Sequence, residues 1–310
     1  MVIAILIAAV IIAVFVGLFA AYYKVFYFPK KNRHETEDPP IISNHPYHDT
    51  ARERIAEITD IPCEFISTRS YDGLKLSARF YRGNDKKPLI ICFHGYHGYA
   101  LRDYSGIGLY LIQQDYPVIL VDERAHQRSE GHTITFGIRE RHDALSWIEY
   151  VRDHFGKNRP VYLHGISLGG GTVLMASGLE LPENVKGIIA DCPFNDPEKI
   201  IRYVCRLIKL NPDICWPIIK LSALIYGRFN INQTTAAQEV TKTTKPILII
   251  HGDADDFVPE HMSAEVQKAN PAMVERHLIA DAGHGLSYYY DPEQYESIVK
   301  VFIDRTIHSS

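Results

Sequence analysis

Pro160-Val161-Tyr162-Leu163-His164-Gly165-Ile166-Ser167-Leu168-Gly169-Gly170-Gly171-Thr172-Val173-Leu174 is the stretch that decides the fold. Its first half, an apolar and β-branched run, reads as a buried strand, and its second half reads as a small-residue helix. Between them Gly165-Ile166-Ser167-Leu168-Gly169 places a serine on a sharp strand-to-helix turn. The flanking glycines suit such a turn because a side chain at either position would collide with neighbouring backbone. The hydroxyl is thereby held above the sheet edge, beside the free N–H groups of a helix start.

Outward from this turn, apolar runs recur along the chain. Cys63–Thr68 and Leu74–Tyr81 flank Tyr71-Asp72-Gly73, a hairpin signal. Leu89–His94, Val118–Glu123, Val161–Gly165, Val185–Asp191, Ile247–His251 and Arg276–Ile279 follow as predicted strands. Helical patterns fall between them at Tyr104–Gln114, Ile138–Phe155, Gly169–Leu179, Glu260–Ala269 and Pro292–Thr306. A leading hairpin followed by strand–helix alternation predicts an α/β fold with a doubly wound, mostly parallel sheet. Residues 195–245 interrupt the alternation. Ile200, Ile201, Val204, Leu207 and Ile208 repeat at helical spacing, and Pro217 is expected to begin a second helical run through Ile225. This insertion is expected to form a small helical cap over the carboxyl edge of the sheet.

A serine hydroxyl at its ordinary pKa is a poor nucleophile and needs a base and an orienting carboxylate. His284, in Asp281-Ala282-Gly283-His284-Gly285 after the last strand, is the expected base. Asp255, in His251-Gly252-Asp253-Ala254-Asp255-Asp256 just past a strand end, is the expected acid. Of its neighbours, Asp253 is expected to cap the turn and Asp256 to face solvent or begin the next helix. Two backbone donors are expected to hold an oxyanion: the N–H of Leu168 and, from His94-Gly95-Tyr96-His97-Gly98, the N–H of Tyr96. His94 is expected to steady its turn and His97 to line a pocket.

His94-Gly-x-x-Gly98, Gly165-x-Ser167-x-Gly169, His251-Gly-x-x-Asp255-x-x-Val258-Pro259 and Gly283-His284, in that order, resemble the α/β-hydrolase superfamily over roughly residues 61–306. The likeness is strongest to its membrane-anchored, small-capped bacterial esterases, near the serine aminopeptidase relatives. It implies a Ser-His-Asp hydrolase acting through an acyl-enzyme on carboxylic esters, with thioesterase or small-peptide hydrolase activity as alternatives. A catalytically silent binding scaffold is the alternative of another class. The loop Asp122-Glu-Arg124-Ala-His126-Gln127-Arg-Ser129-Glu-Gly131 is similar to the family's, except that Gln127 stands where glycine is usual. Peptidase relatives often carry acids for a substrate amine, and Glu123, Glu130 and Glu140 are the candidates here.

Composition narrows the partners. Val2–Tyr23 carries no charge and, as a helix, spans roughly 33 Å, enough for a bilayer's hydrocarbon core. It begins without Lys or Arg, and Leu18 and Phe19 spoil the small-residue cleavage pattern, so a retained single-pass anchor over 1–28 is expected rather than a signal peptide. Residues 29–60, with Pro39-Pro40, read as a juxtamembrane tether and a lead-in helix near Asp49–Ile58; residues 61–310 read as the hydrolase domain. Lys24, Lys30, Lys31 and Arg33 follow the span and no charge precedes it. A cell-membrane location with the body on the cytoplasmic side is therefore expected. The remaining residues hold 29 basic and 37 acidic groups, an acidic body that argues against nucleic acid. Five cysteines without paired spacing read as reduced thiols, and no cofactor or metal pattern is present. The expected partners are a small acyl or ester substrate and the membrane.

Overall fold

The computed structural model describes residues 1–33 and 47–307. The residues 34–46 of the expected tether lie outside the described residues. The apolar opening forms α1 (Val2–Val25) and the lead-in helix α2 is His48–Asp60. An eight-stranded sheet then assembles from β1 (Glu64–Arg69), β2 (Lys75–Tyr81), β3 (Leu89–Phe93), β4 (Val118–Asp122), β5 (Val161–Ile166), β6 (Val185–Asp191), β7 (Ile247–Gly252) and β8 (Val274–Ile279). Their order is β1-β2-β4-β3-β5-β6-β7-β8. β2 runs antiparallel to β1 and β4, and every pairing from β4 through β8 is parallel. The continuous apolar runs are thus strands covered on both faces.

Two apolar layers cover the sheet. On one face pack α5 (Glu140–Phe155), α6 (Leu168–Ala176) and α10 (His261–Ala269) around Trp147, Leu174 and Val266. On the other, α2, α3 (Ala100–Asp103), α4 (Ile107–Gln113) and α12 (Pro292–Thr306) bury Ile58, Tyr104, Leu109 and Phe302. The short α9 (Ala236–Glu239) and α11 (Ser287–Tyr290) complete the shell.

Two helix boundaries differ from the sequence expectation. The helix expected at Tyr104–Gln114 is instead α3 and α4, broken at Gly106. Tyr104 is withdrawn into the interior, where its hydroxyl donates to the carbonyls of Phe93 and His164 at 3.0 and 2.9 Å. A Cβ on Gly106 would also lie 2.6 Å from the Tyr288 ring. Between β6 and β7 the chain forms α7 (Pro197–Leu207), α8 (Pro212–Ser222) and a π-helical turn at Ala223–Gly227. Here the second helix begins at Pro212, not Pro217. Asn211 Oδ1 accepts from the Asp213 N–H at 2.9 Å, and Pro212 opens the first turn where its missing N–H is harmless. Pro217 lies inside α8, where it forgoes only one intrahelical bond.

The end of α1 is built into the body. Leu18, Tyr22, Phe26 and Phe28 are buried, and residues 26–28 pair with 132–134 through Phe28 N–H to His132 O and Ile134 N–H to Phe26 O. The Arg33 guanidinium donates to the carbonyls of Phe28, Ser129 and Gly131. These bonds tie the start of the chain to the loop after β4. In that loop Gln127 adopts φ 32°, so it takes the left-handed conformation that a glycine would enter freely.

Candidate active site

Ser167 sits between β5 and α6 with φ 55° and ψ −110°, a strained backbone for a residue bearing a Cβ. Neighbouring chain leaves no slack around it. A Cβ on Gly165 would lie 2.1 Å from the Gly169 carbonyl oxygen, and one on Gly169 would lie 1.9 Å from that of Phe93. Only glycine permits the crossing of β3, β5 and α6 at this distance. The Ser167 N–H is held by the Asp191 carbonyl at 2.9 Å.

Three distant loops meet at this turn. His284 Nδ1 lies 2.7 Å from Asp255 Oδ2, and its Nε2 lies 2.9 Å from Ser167 Oγ. A carboxylate can only accept, so Nδ1 carries the hydrogen and Nε2 is left to accept from the serine hydroxyl. Asp255 is itself fixed: Oδ1 accepts from the N–H groups of Phe257 at 3.0 Å and Val258 at 2.8 Å. The His251 Nε2–H reaches both the Val258 carbonyl at 2.8 Å and Asp255 Oδ2 at 3.2 Å. Burial pushes the Asp255 carboxyl upward, but hydrogen bonds from His251 and His284 and their partial charge outweigh it and hold the group well below its ordinary value. The Phe257 ring packs 5.0 Å from the His284 ring and limits its swing.

This sets a pH dependence. A carboxylate with a lowered folded-state pKa contributes stability that is fully present above its unfolded pKa, about 4, and is lost as pH falls through the folded value. The melting temperature of Asp255→Asn is therefore expected to trail the wild type most above about pH 5, with the gap narrowing toward about pH 2–3. Thermal melts across that range check it, and a gap independent of pH would refute it.

On the opposite side of Ser167 lies the loop after β3. A Cβ on Gly95 would lie 3.5 Å from that of Ser167. The Gly95 N–H is already taken by Asp103 Oδ2 at 2.7 Å, which draws the loop into place. Among the described residues the N–H groups of Tyr96 and Leu168 donate to no protein acceptor. His94 spans its turn through Nδ1 to Gly95 O and accepts the Glu123 N–H. His97, expected to line a pocket, is instead stacked between Phe28 at 4.3 Å and Tyr96 at 3.9 Å. Burial lowers its pKa to about 4, so it serves as a neutral plate against the end of α1.

Ser167 and Leu168 open into a cavity of about 650 Å³. Its walls are Phe136 and Phe194 from the body, Ile201 and Val204 from α7, and Cys215 and Ile219 from α8. The insertion therefore does roof the serine. A further wall has no signal in the sequence: Ala20, Ala21, Lys24 and Val25 of α1. No acidic side chain lines this space among the described residues. Glu123 is buried in the loop after β4, Glu130 caps the Lys75 N–H, and Glu140 caps Thr135 and Gly137. Cys192, Asp255 and His284 offer atoms within 4.8 Å of one another. Burial holds the Cys192 thiol protonated, and Asp255 already holds His284 Nδ1, so the trio offers a metal poor ligands.

A family model described as the alpha/beta hydrolase fold matches residues 88–213. An esterase from Pyrococcus furiosus, Pf2001, superposes with a TM-score of 0.65 at 20% identity, covering 87% of this chain and 98% of that one. The chain has the alpha/beta-hydrolase fold. Rhodococcus esterase RhEst1 shares this hydrolase fold at a TM-score of 0.58 and 16% identity, over 78% of this chain and 99% of its own. A membrane phospholipase A described as a bacterial virulence factor matches at 0.59 and 15%, over 84% and 93%. In sequence, the uncharacterized protein YqkD of Bacillus subtilis is 23% identical over 243 residues, 77% of this chain and 78% of its own.

Proposed function

We propose that this chain is a membrane-anchored serine hydrolase that cleaves carboxylic esters with apolar acyl groups. One observation carries the reading: the relay Asp255–His284–Ser167 is hydrogen-bonded throughout and its hydroxyl faces an apolar cavity. His284 Nε2 takes the Ser167 proton as Oγ attacks the ester carbonyl carbon. The N–H groups of Leu168 and Tyr96 receive the oxyanion, and each such donor contributes about 3 kcal/mol to the transition state. As the carbonyl re-forms, the ester C–O bond breaks and His284 returns the proton to the departing alcohol. Water, deprotonated by the same imidazole, then releases the carboxylic acid and restores Ser167. Asp255 keeps the tautomer and stabilises the imidazolium.

The same relay can cleave thioesters. A small-peptide hydrolase is disfavoured because, among the described residues, the cavity presents no carboxylate to a free substrate amine. A silent scaffold is disfavoured because every group of the relay is present and aligned. The esterases among the structural neighbours support the same reading.

The anchor assignment rests on α1, whose Ile5–Val25 is apolar enough to cross a bilayer. Burial of Leu18, Tyr22 and Phe26 in the body favours a helix retained in the mature protein over a cleaved signal. The basic residues after the span favour a body on the cytoplasmic side.

Fluorophosphonate labelling of wild type and Ser167→Ala tests the enzyme reading. Covalent labelling is expected in the wild type alone, and equal labelling of both would end it.

A further inference from the structure

We propose that α7, α8 and the π turn dip into the bilayer beside α1, so that the cavity takes the acyl chain of a membrane lipid ester directly from the hydrocarbon. The inference rests on the esterase reading for its chemistry, but on separate observations for its geometry.

The first is length. The Tyr226 hydroxyl donates to the Phe15 carbonyl at 2.9 Å, and the Tyr226 ring meets Phe19 edge-on at 5.3 Å. The cap thus runs alongside α1 as far as Phe15. From Phe15 to Tyr23 α1 stays uncharged, so roughly 13 Å of a segment apolar enough to cross a bilayer runs beside the cap. A cap that flanks this part of the span enters the hydrocarbon with it, and the depth at which interfacial helices rest, about 5–10 Å, falls within that stretch.

The second is surface chemistry. Ile208, Leu210, Ile214, Ile218, Leu221 and Leu224 of the cap are 41–64% exposed, a concentration of large aliphatic side chains that water would not tolerate cheaply. The patch adjoins the exposed apolar flank of α1 through their packing contact. Lys209 and Lys220 on the cap are exposed and long enough to reach back to lipid headgroups.

The third is where the cavity opens. Ile208, Leu210 and Ile218 belong both to the exposed patch and to the cavity wall, as does Lys24 of α1. Its mouth therefore lies in the immersed surface, between the anchor and the cap. An acyl chain can pass from one apolar phase to another without crossing water, while Lys24 lies at the rim for a polar or anionic headgroup. Most walls around Ser167 offer such a chain only contact, so the site selects for length and not for polar substituents.

The test uses the full chain in phosphatidylcholine/phosphatidylglycerol vesicles. Ile214→Trp is expected to lose at least half of its added fluorescence to lipids brominated near the top of the acyl chain. Val301→Trp, at an exposed position of α12 away from the cap, is expected to lose none. In parallel, the double variant Ile214→Glu/Leu224→Glu is expected to hydrolyse a long-chain diacyl ester in vesicles at least about 10-fold more slowly, while cleaving a soluble butyrate ester in detergent within about twofold of wild type. Absence of quenching in Ile214→Trp, or a double variant that cleaves the vesicle substrate like wild type, overturns the inference. Failure of the wild type to cleave the butyrate ester would instead overturn the esterase reading, since the quenching does not depend on catalysis.

Discussion

Ser167→Ala is expected to lower kcat for ester hydrolysis about 10⁶-fold, and His284→Ala to lower it nearly as much. Each removes a different half of one proton transfer, so the double variant is expected to be no slower than either single one. The geometry makes this specific: Ser167 Oγ donates to His284 Nε2 at 2.9 Å, and the imidazole has Asp255 behind it. Asp255→Asn is expected to cost less, about 10⁴-fold, because it offers the imidazole the wrong tautomer without emptying the site. Steady-state kinetics on a chromogenic ester, with folding checked by circular dichroism, read all four. Additive losses in the double variant would mean that the two residues do not act as a unit.

Gly169→Ala is expected to remove the folded state under ordinary conditions, a loss of more than about 4 kcal/mol. The added methyl would sit 1.9 Å from the Phe93 carbonyl oxygen and 2.9 Å from that of His94, both backbone atoms at the end of a central strand that cannot swing aside. Gly170→Ala, one residue on, would meet the Asp191 carbonyl oxygen at 3.1 Å and is expected to fold with a modest loss. Denaturant titrations of the pair measure the contrast. Similar stability for both would show that the turn can relax and that the crowding described here is not what demands glycine.

The sheet was legible because doubly covered strands leave unbroken apolar runs such as Leu89–Phe93 and Ile247–Ile250. The meeting of Ser167, Asp255 and His284 was legible from chain order and from their positions just after strands. What lay beyond reach was chemistry shared by two surroundings. Residues of α1 facing lipid and those walling the cavity are both small or aliphatic, so Ala20 and Ala21 carry no mark that separates them from Ala8 or Ala9. Asp103, which holds the Gly95 loop, carries no signal in the sequence, because its partner is a backbone N–H that no pattern reveals. The start of α8 is ambiguous in sequence since proline opens helices more often than it sits within them, and here it does both, at 212 and 217. Gln127 shows the converse: the residue departs from the related loop, yet the backbone keeps the twist that glycine would have taken.

The embedding of Tyr22, Phe26 and Phe28 has a practical corollary for anyone trimming the protein to ease its handling. Starting the chain at residue 34 would pull Phe26 and Phe28 out of the core and strip His97 of one stacking partner. It would also breach the chamber around Ser167 where Ala20, Ala21 and Val25 now close it. Such a fragment would expose a raw greasy scar prone to self-association, and its selectivity toward esters would belong to the damage and not to the native catalyst.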